Sequence, residues 1–153
     1  MNDTVVFVSL AGNQSGFFAA LEPLMRETGM DVAHVCFHEP SANVLLKAGH
    51  RVFNPFEIAR DAELPAFETY GIANPALLVG HEKAAYELTD TQALLLKFRR
   101  HLAAMETIFR TLAEEGRRLV VVQELGGFTS VLAAYFVAQR HGVSNYFIEP
   151  SFF

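Results

Sequence analysis

The stretch QELGGF (123–128) places a carboxamide and a carboxylate side by side and then removes two side chains. A carboxylate at the end of a strand can take a hydroxyl proton, attack as a nucleophile or hold sugar hydroxyls. Glu124 is therefore the candidate catalytic residue. Gln123, Gly126 and Gly127 are candidate substrate contacts, since glycine lets a ligand come close to the backbone. A second stretch, AGNQSG (11–16), offers Gly12, Asn13 and Gln14 in the same way. With Gly16 it reads G-x-x-x-G ahead of a helix whose first N–H groups can bind an anion. It is neither the G-x-G-x-x-G fingerprint nor a P-loop, because no G-K-[ST] follows. The plain alternatives are Asn13 or Ser15 as a helix cap, and Glu124 as a solvated strand end beside turn-shaping glycines.

Other reactive side chains are scattered. FHEP (37–40) ends in an acidic residue, Glu39, where a dinucleotide ribose is held in nicotinamide-binding folds. A plain loop carboxylate is the simpler reading. His34, His38, His50, His81, His101 and His141 show no metal-ligand spacing, and there is no C-x-x-C pair, so no metal centre is expected. Of these, His38 is placed near the ligand crevice. KFRRH (97–101) is a basic cluster on a long helix, read as a solvated face or as a phosphate or acidic-glycan contact. The single cysteine, Cys36, lies in a strand and reads as core.

The elements that must position these groups follow from the apolar pattern. TVVFVSL (4–10), DVAHVCF (31–37), RVFN (51–54), RLVVVQE (118–124) and SNYFIEP (144–150) read as strands. Short continuous apolar runs suit strands covered on both faces. Helices fall between them, closed by Gly29, Gly49 and Gly142. Ser41 is expected to cap the helix over 42–48. Residues 55–80 carry Pro55, Pro65 and Pro75 and read as loop with short helical turns. From 81 to 116 the chain is helical, with a separate start at Thr89 or Asp90. Leu94, Leu95, Phe98, Leu102, Met105, Phe109 and Leu112 form its apolar stripe.

This alternation predicts an α/β fold: a single Rossmann-like domain over 1–153, with a doubly wound parallel sheet of five strands in the order 3-2-1-4-5. A long helical crossover joins strands three and four. The switch point then lies between strands one and four, and their two loops open side by side at the carboxyl edge. Glu124 should stand there within reach of the first loop, beside the N-terminus of the next helix.

Bulk properties set limits. The chain of 153 residues is 51% hydrophobic and 19% charged, with 14 Phe. It can bury a substantial core and leave an apolar face for a partner. A net charge of -5 argues against nucleic acid as a partner. One cysteine fits a reducing compartment. The start, MNDTVVFVSLAG, has no basic region of the signal-peptide kind, and no apolar run has the length a membrane helix needs. A cytoplasmic location is expected. The end, IEPSFF, is apolar after a proline, so Phe152 and Phe153 are expected to drive self-association or to meet a missing C-terminal domain.

VSLAGNQSGFFAAL near the start, together with VVVQELGGFTSVLAAYFVAQRHGVSNYFIEPSFF at the end, resembles the N-terminal half of bacterial capsule and O-antigen glycosyltransferases. The likeness is to the retaining β-Kdo transferase type. It covers both ends of the chain, and the middle matches mainly in pattern. The resemblance implies the acceptor-side half of a two-domain GT-B enzyme, with no cofactor. A nucleotide-sugar donor such as CMP-Kdo would be substrate, and a glycan acceptor the partner. It also implies work at the inner face of the cytoplasmic membrane. The chain has no second half of that kind, so on its own it is expected to be inactive. The alternative is a non-catalytic module that binds a nucleotide or sugar.

Overall fold

The computed structural model describes residues 3–149. Its elements run β1 (Thr4–Ser9), α1 (Gly12–Glu27), β2 (Asp31–Cys36), α2 (Glu39–Lys47), β3 (Val52–Phe53), α3 (Pro55–Ile58), a 3-10 turn (Phe67–Tyr70), α4 (Pro75–Leu78), α5 (Gly80–Ala85), α6 (Thr91–Ala113), β4 (Leu119–Glu124), α7 (Thr129–Arg140) and β5 (Ser144–Ile148). The sheet is parallel throughout, in the order β3-β2-β1-β4-β5. The expected fold is therefore present, with the long crossover between β3 and β4.

The core divides between the two faces of the sheet. Val6, Val8, Ala33, Val35 and Val121 pack against the stripe of α6 and against Ala133, Ala134, Val137 and Ala138 of α7. On the other face, Val5, Phe7 and Val32 meet Phe18 of α1, and the rings of Phe7 and Phe18 stack at 4.7 Å. Each fully buried Phe or Leu contributes about 1.5–3 kcal/mol, so a long stripe such as that of α6 outweighs any local helix preference. In that stripe only Leu95 is partly exposed.

Helix ends follow local chemistry. Gly29, Gly49 and Gly142 take positive φ after α1, α2 and α7, as the reading of helix stops required. The split within 81–116 falls where Asp90 accepts a hydrogen bond from Ala93 N at 3.0 Å. Two expectations fail here. Ser41 lies inside α2, which already begins at Glu39 with Pro40 in its first turn, because a proline there needs no N–H partner. Neither Asn13 nor Ser15 caps α1, which starts at Gly12 without a side-chain cap.

β5 is also less covered than its apolar sequence suggests. It lies at the sheet edge, with Tyr146 60% and Phe147 41% exposed. Phe152 and Phe153 lie outside the described residues.

Candidate functional site

β1 and β4 are neighbours, with Val8 paired to Gln123, so the loops after them meet at the carboxyl edge. Gln14, in the first turn of α1, bridges them. Its Oε1 accepts from Leu10 N at 2.7 Å, and its Nε2 donates to Glu124 Oε2 at 2.6 Å. Glu124 thus stands at the switch point, in contact with the first loop. Its Oε1 makes no hydrogen bond among the described residues, which leaves an acceptor for a ligand hydroxyl.

Gln123 does not share that crevice. Successive strand residues point to opposite faces, so Gln123 turns toward α7 and is fully buried. Its Nε2 donates to Val131 O at 3.3 Å and Asn145 Oδ1 at 3.4 Å. Gly12, Gly16 and His38 come together differently. With Ser15, Pro40, Ser41 and Val44 they line a groove of about 310 Å³ between α1 and α2. His38 Nδ1 is 2.6 Å from Ser41 Oγ. Asn13 is exposed on α1, and Glu39 is exposed in the first turn of α2. Cys36 is core, and burial pushes its thiol up despite a 3.6 Å contact from Ser9 Oγ.

Of the second glycine pair, Gly126 has room for a Cβ, with only ordinary contacts to Phe128 and Val131, whereas Gly127 is crowded. A Cβ on Gly127 would lie 3.0 Å from both Cβ and Cγ of His81. Gly127 therefore lets α5 lie close against the loop that leads into α7. Among the described residues Glu124 accepts no hydrogen bond from the first N–H groups of α7. That place is held by Glu82, whose Oε2 accepts from Thr129 N at 2.9 Å while Oε1 pairs with Lys97. Burial pushes the Glu82 carboxyl up, but the hydrogen bonds from Lys97 and Thr129 outweigh it and hold the group below its usual range.

Beside Glu82 lies a pocket whose basic residues come from the KFRRH cluster. Lys97, Arg100 and His101 fall at i, i+3 and i+4, on one face of α6. They line a pocket of about 510 Å³ with Pro55, Phe56, Arg60 and Leu96. A smaller recess joins Leu10, Phe37, Phe56, Glu82, Lys97, His101 and Ser130, so this region reaches the loop after β1. His101 is 4% exposed. Its Nδ1 is 3.2 Å from Thr129 Oγ1, and the rings of Phe37 and Phe56 pack edge-on against it. Its Nε2 is buried with no hydrogen-bond partner among the described residues. Burial, helped by the Lys97 charge, lowers the imidazole to about 3, so it is neutral at neutral pH. The remaining cation of KFRRH, Arg99, donates to Leu64 O and Pro65 O at 2.7 and 2.8 Å and fastens the irregular segment. The signal for this pocket was the helical spacing of 97, 100 and 101. Arg60, from the proline-rich stretch, carried none.

The fold also gathers histidines that lie far apart in sequence. His34 Nε2 and His50 Nδ1 lie 2.9 and 2.6 Å from Glu22 Oε2, and Arg26 takes Oε1. Three such atoms within 4.8 Å of one another can in principle hold a cation. Here the guanidinium already supplies positive charge to the carboxylate, so the cluster reads as a buried charge network on the α1–α2 face. Burial pushes Glu22 up, yet the donors from His34, Arg26 and His50 bring it down to about 2.

No protein-family model matches this sequence, and no curated protein matches it. Among the described residues, no helix is long and apolar enough to cross a membrane.

Proposed function

We propose that this chain is the acceptor-side domain of a two-domain sugar transferase of bacterial surface-polysaccharide synthesis, acting with a nucleotide-activated donor of the CMP-Kdo kind. The observation that carries the reading is the 2.6 Å contact between Gln14 and Glu124. The two stretches that resemble capsule and O-antigen enzymes, one near each end of the chain, meet at that contact. They meet at the switch point, where open α/β sheets bind ligands. Glu124 there has one oxygen oriented by an amide and one open to an acceptor hydroxyl, an arrangement suited to a base, a nucleophile or a hydroxyl ligand.

The chain contains one Rossmann-like unit, whereas GT-B chemistry takes place between two. The purified chain is expected to give no transfer from cytidine- or uridine-activated sugars, and transfer by it alone would sink the half-enzyme reading. In an enzyme that joins this domain to a donor-binding domain, Glu124→Gln keeps the shape and removes the charge. A catalytic Glu124 predicts a fall in kcat of about 10²-fold or more. An acceptor-binding Glu124 predicts a raised KM with kcat nearly unchanged. Unchanged constants would remove Glu124 from the site.

A second reading is a non-catalytic sugar- or nucleotide-binding module. The groove lined by Gly12, Gly16, His38 and Ser41 favours it, since it is open and lies at the start of a long helix. Binding of a nucleotide to the chain, abolished by a bulky residue at Gly12 and untouched by Glu124→Gln, would support this reading over the first.

A further inference from the structure

We infer that the pocket between α3 and α6 binds the anionic group, carboxylate or phosphate, of a small sugar ligand, through Arg60, Arg100 and the buried His101. That the ligand is a sugar rests on the transferase reading. The preference for an anion rests on the pocket's own residues.

Charge accounting within the pocket comes first. Lys97 is committed to Glu82, and the second oxygen of Glu82 is committed to Thr129 N. Glu82 therefore offers little to a further cation. Arg60 and Arg100 make no ion pair among the described residues, although both line the pocket. Two guanidiniums around one concavity bind a planar carboxylate or a phosphate bidentately and repel a cation.

The second observation is independent of these exposed charges. His101 lines both this pocket and the recess that leads to Leu10, and its Nε2 is a buried polar atom without a hydrogen-bond partner among the described residues. Leaving such an atom unpaired is costly, and a neutral imidazole nitrogen is satisfied by a hydroxyl in either tautomer. A polyhydroxy compound with one acidic group meets both demands. Its anion would lie against Arg60 and Arg100 and one hydroxyl near His101. The apolar lining of Pro55, Phe56, Ala59, Ala93 and Leu96 would face the ring's C–H surface. The volume of about 510 Å³ lies within the range of small-ligand sites.

Titration of the purified 153-residue chain with glucuronate, glucose 6-phosphate and glucose tests this, read by amide chemical shifts and calorimetry. The expected result is saturable binding of one or both anionic sugars, with shifts at 55–60 and 93–101, and none of glucose. Which anionic sugar binds identifies the acidic group. Arg60→Gln with Arg100→Gln, both at exposed positions that should leave the fold intact, should weaken binding at least about tenfold. His101→Phe should also weaken it, while the milder His101→Gln, which retains a polar atom, loses less. The inference is overturned by no binding up to about 10 mM, by equal binding of glucose, or by an arginine variant that binds as well as the wild type. Failure here leaves the Glu124 assay intact. Transfer by the purified chain alone, conversely, would sink the half-enzyme reading, and a silent Glu124→Gln would remove only Glu124 from the site, while anion binding persists in either case.

Discussion

A neutral imidazole buried against Phe37 and Phe56 makes the protein sensitive to acid. His101 titrates at about 3 when folded, against about 6.5 when unfolded. Below the unfolded value the unfolded chain binds more protons, so stability present above pH 6.5 is lost as pH falls toward 3, by up to about 1.4 kcal/mol per unit. Burial lowers His34 too, with the same sign. Glu22 joins from below its unfolded value of 4.5, as its carboxyl is driven toward about 2. Urea unfolding between about pH 7 and 4 should give a steadily lower midpoint, and His101→Gln should flatten part of the slope. Parallel curves for variant and wild type would remove His101 from this account. Gly127 supplies a steric test. Gly127→Ala presses a methyl against the His81 Cβ, which is fixed to its backbone. The expected cost is about 1 kcal/mol, at the low end of overpacking, whereas Gly16→Ala has open space within a helix and should be neutral or stabilising.

Asp90 marks the start of α6 through a single hydrogen bond, so Asp90→Ala should cost about 1 kcal/mol without changing sheet order, and an unchanged thermal midpoint would show the cap to be dispensable. That helix was legible because its stripe repeats over many turns. The strands were legible because buried parallel strands are short unbroken apolar runs, and only their end residues were overrun, at the start as at Arg51 and Arg118 or at the finish as at Leu10 and Phe37. The boundary of α1 was not legible. Gly12 reads as a loop residue, yet Ser15 Oγ ties back to Ala11 O at 3.0 Å and Ser9 Oγ at 2.9 Å and carries the helix to the end of the loop. Glu124 and Gln14 could be placed from strand order alone. Glu82 could not, because it caps a helix that begins 47 residues later, and nothing local announces a partner so distant.

Sheet order puts β5 at the rim with nothing described beyond it; Tyr146 and Phe147 are exposed on it, and Leu125, whose N–H bonds Ile148 O at 3.2 Å, is 64% exposed. An apolar edge strand with open backbone groups is a template for pairing with another chain. Sedimentation should show mass rising with concentration for the wild type. Tyr146→Lys should hold the chain monomeric, since a charged edge blocks strand addition. Equal behaviour of the two would mean that the edge is closed to self-pairing.

The tie from Glu82 to Thr129 also binds two remote segments into one event in time. When residues 80–85 lift from the body, the amide of Thr129 loses its acceptor, and the first turn of α7 opens with them. Amide hydrogens in α5 and at the start of α7 should therefore exchange with solvent through one shared opening, while those of α1 on the opposite face keep a rate of their own.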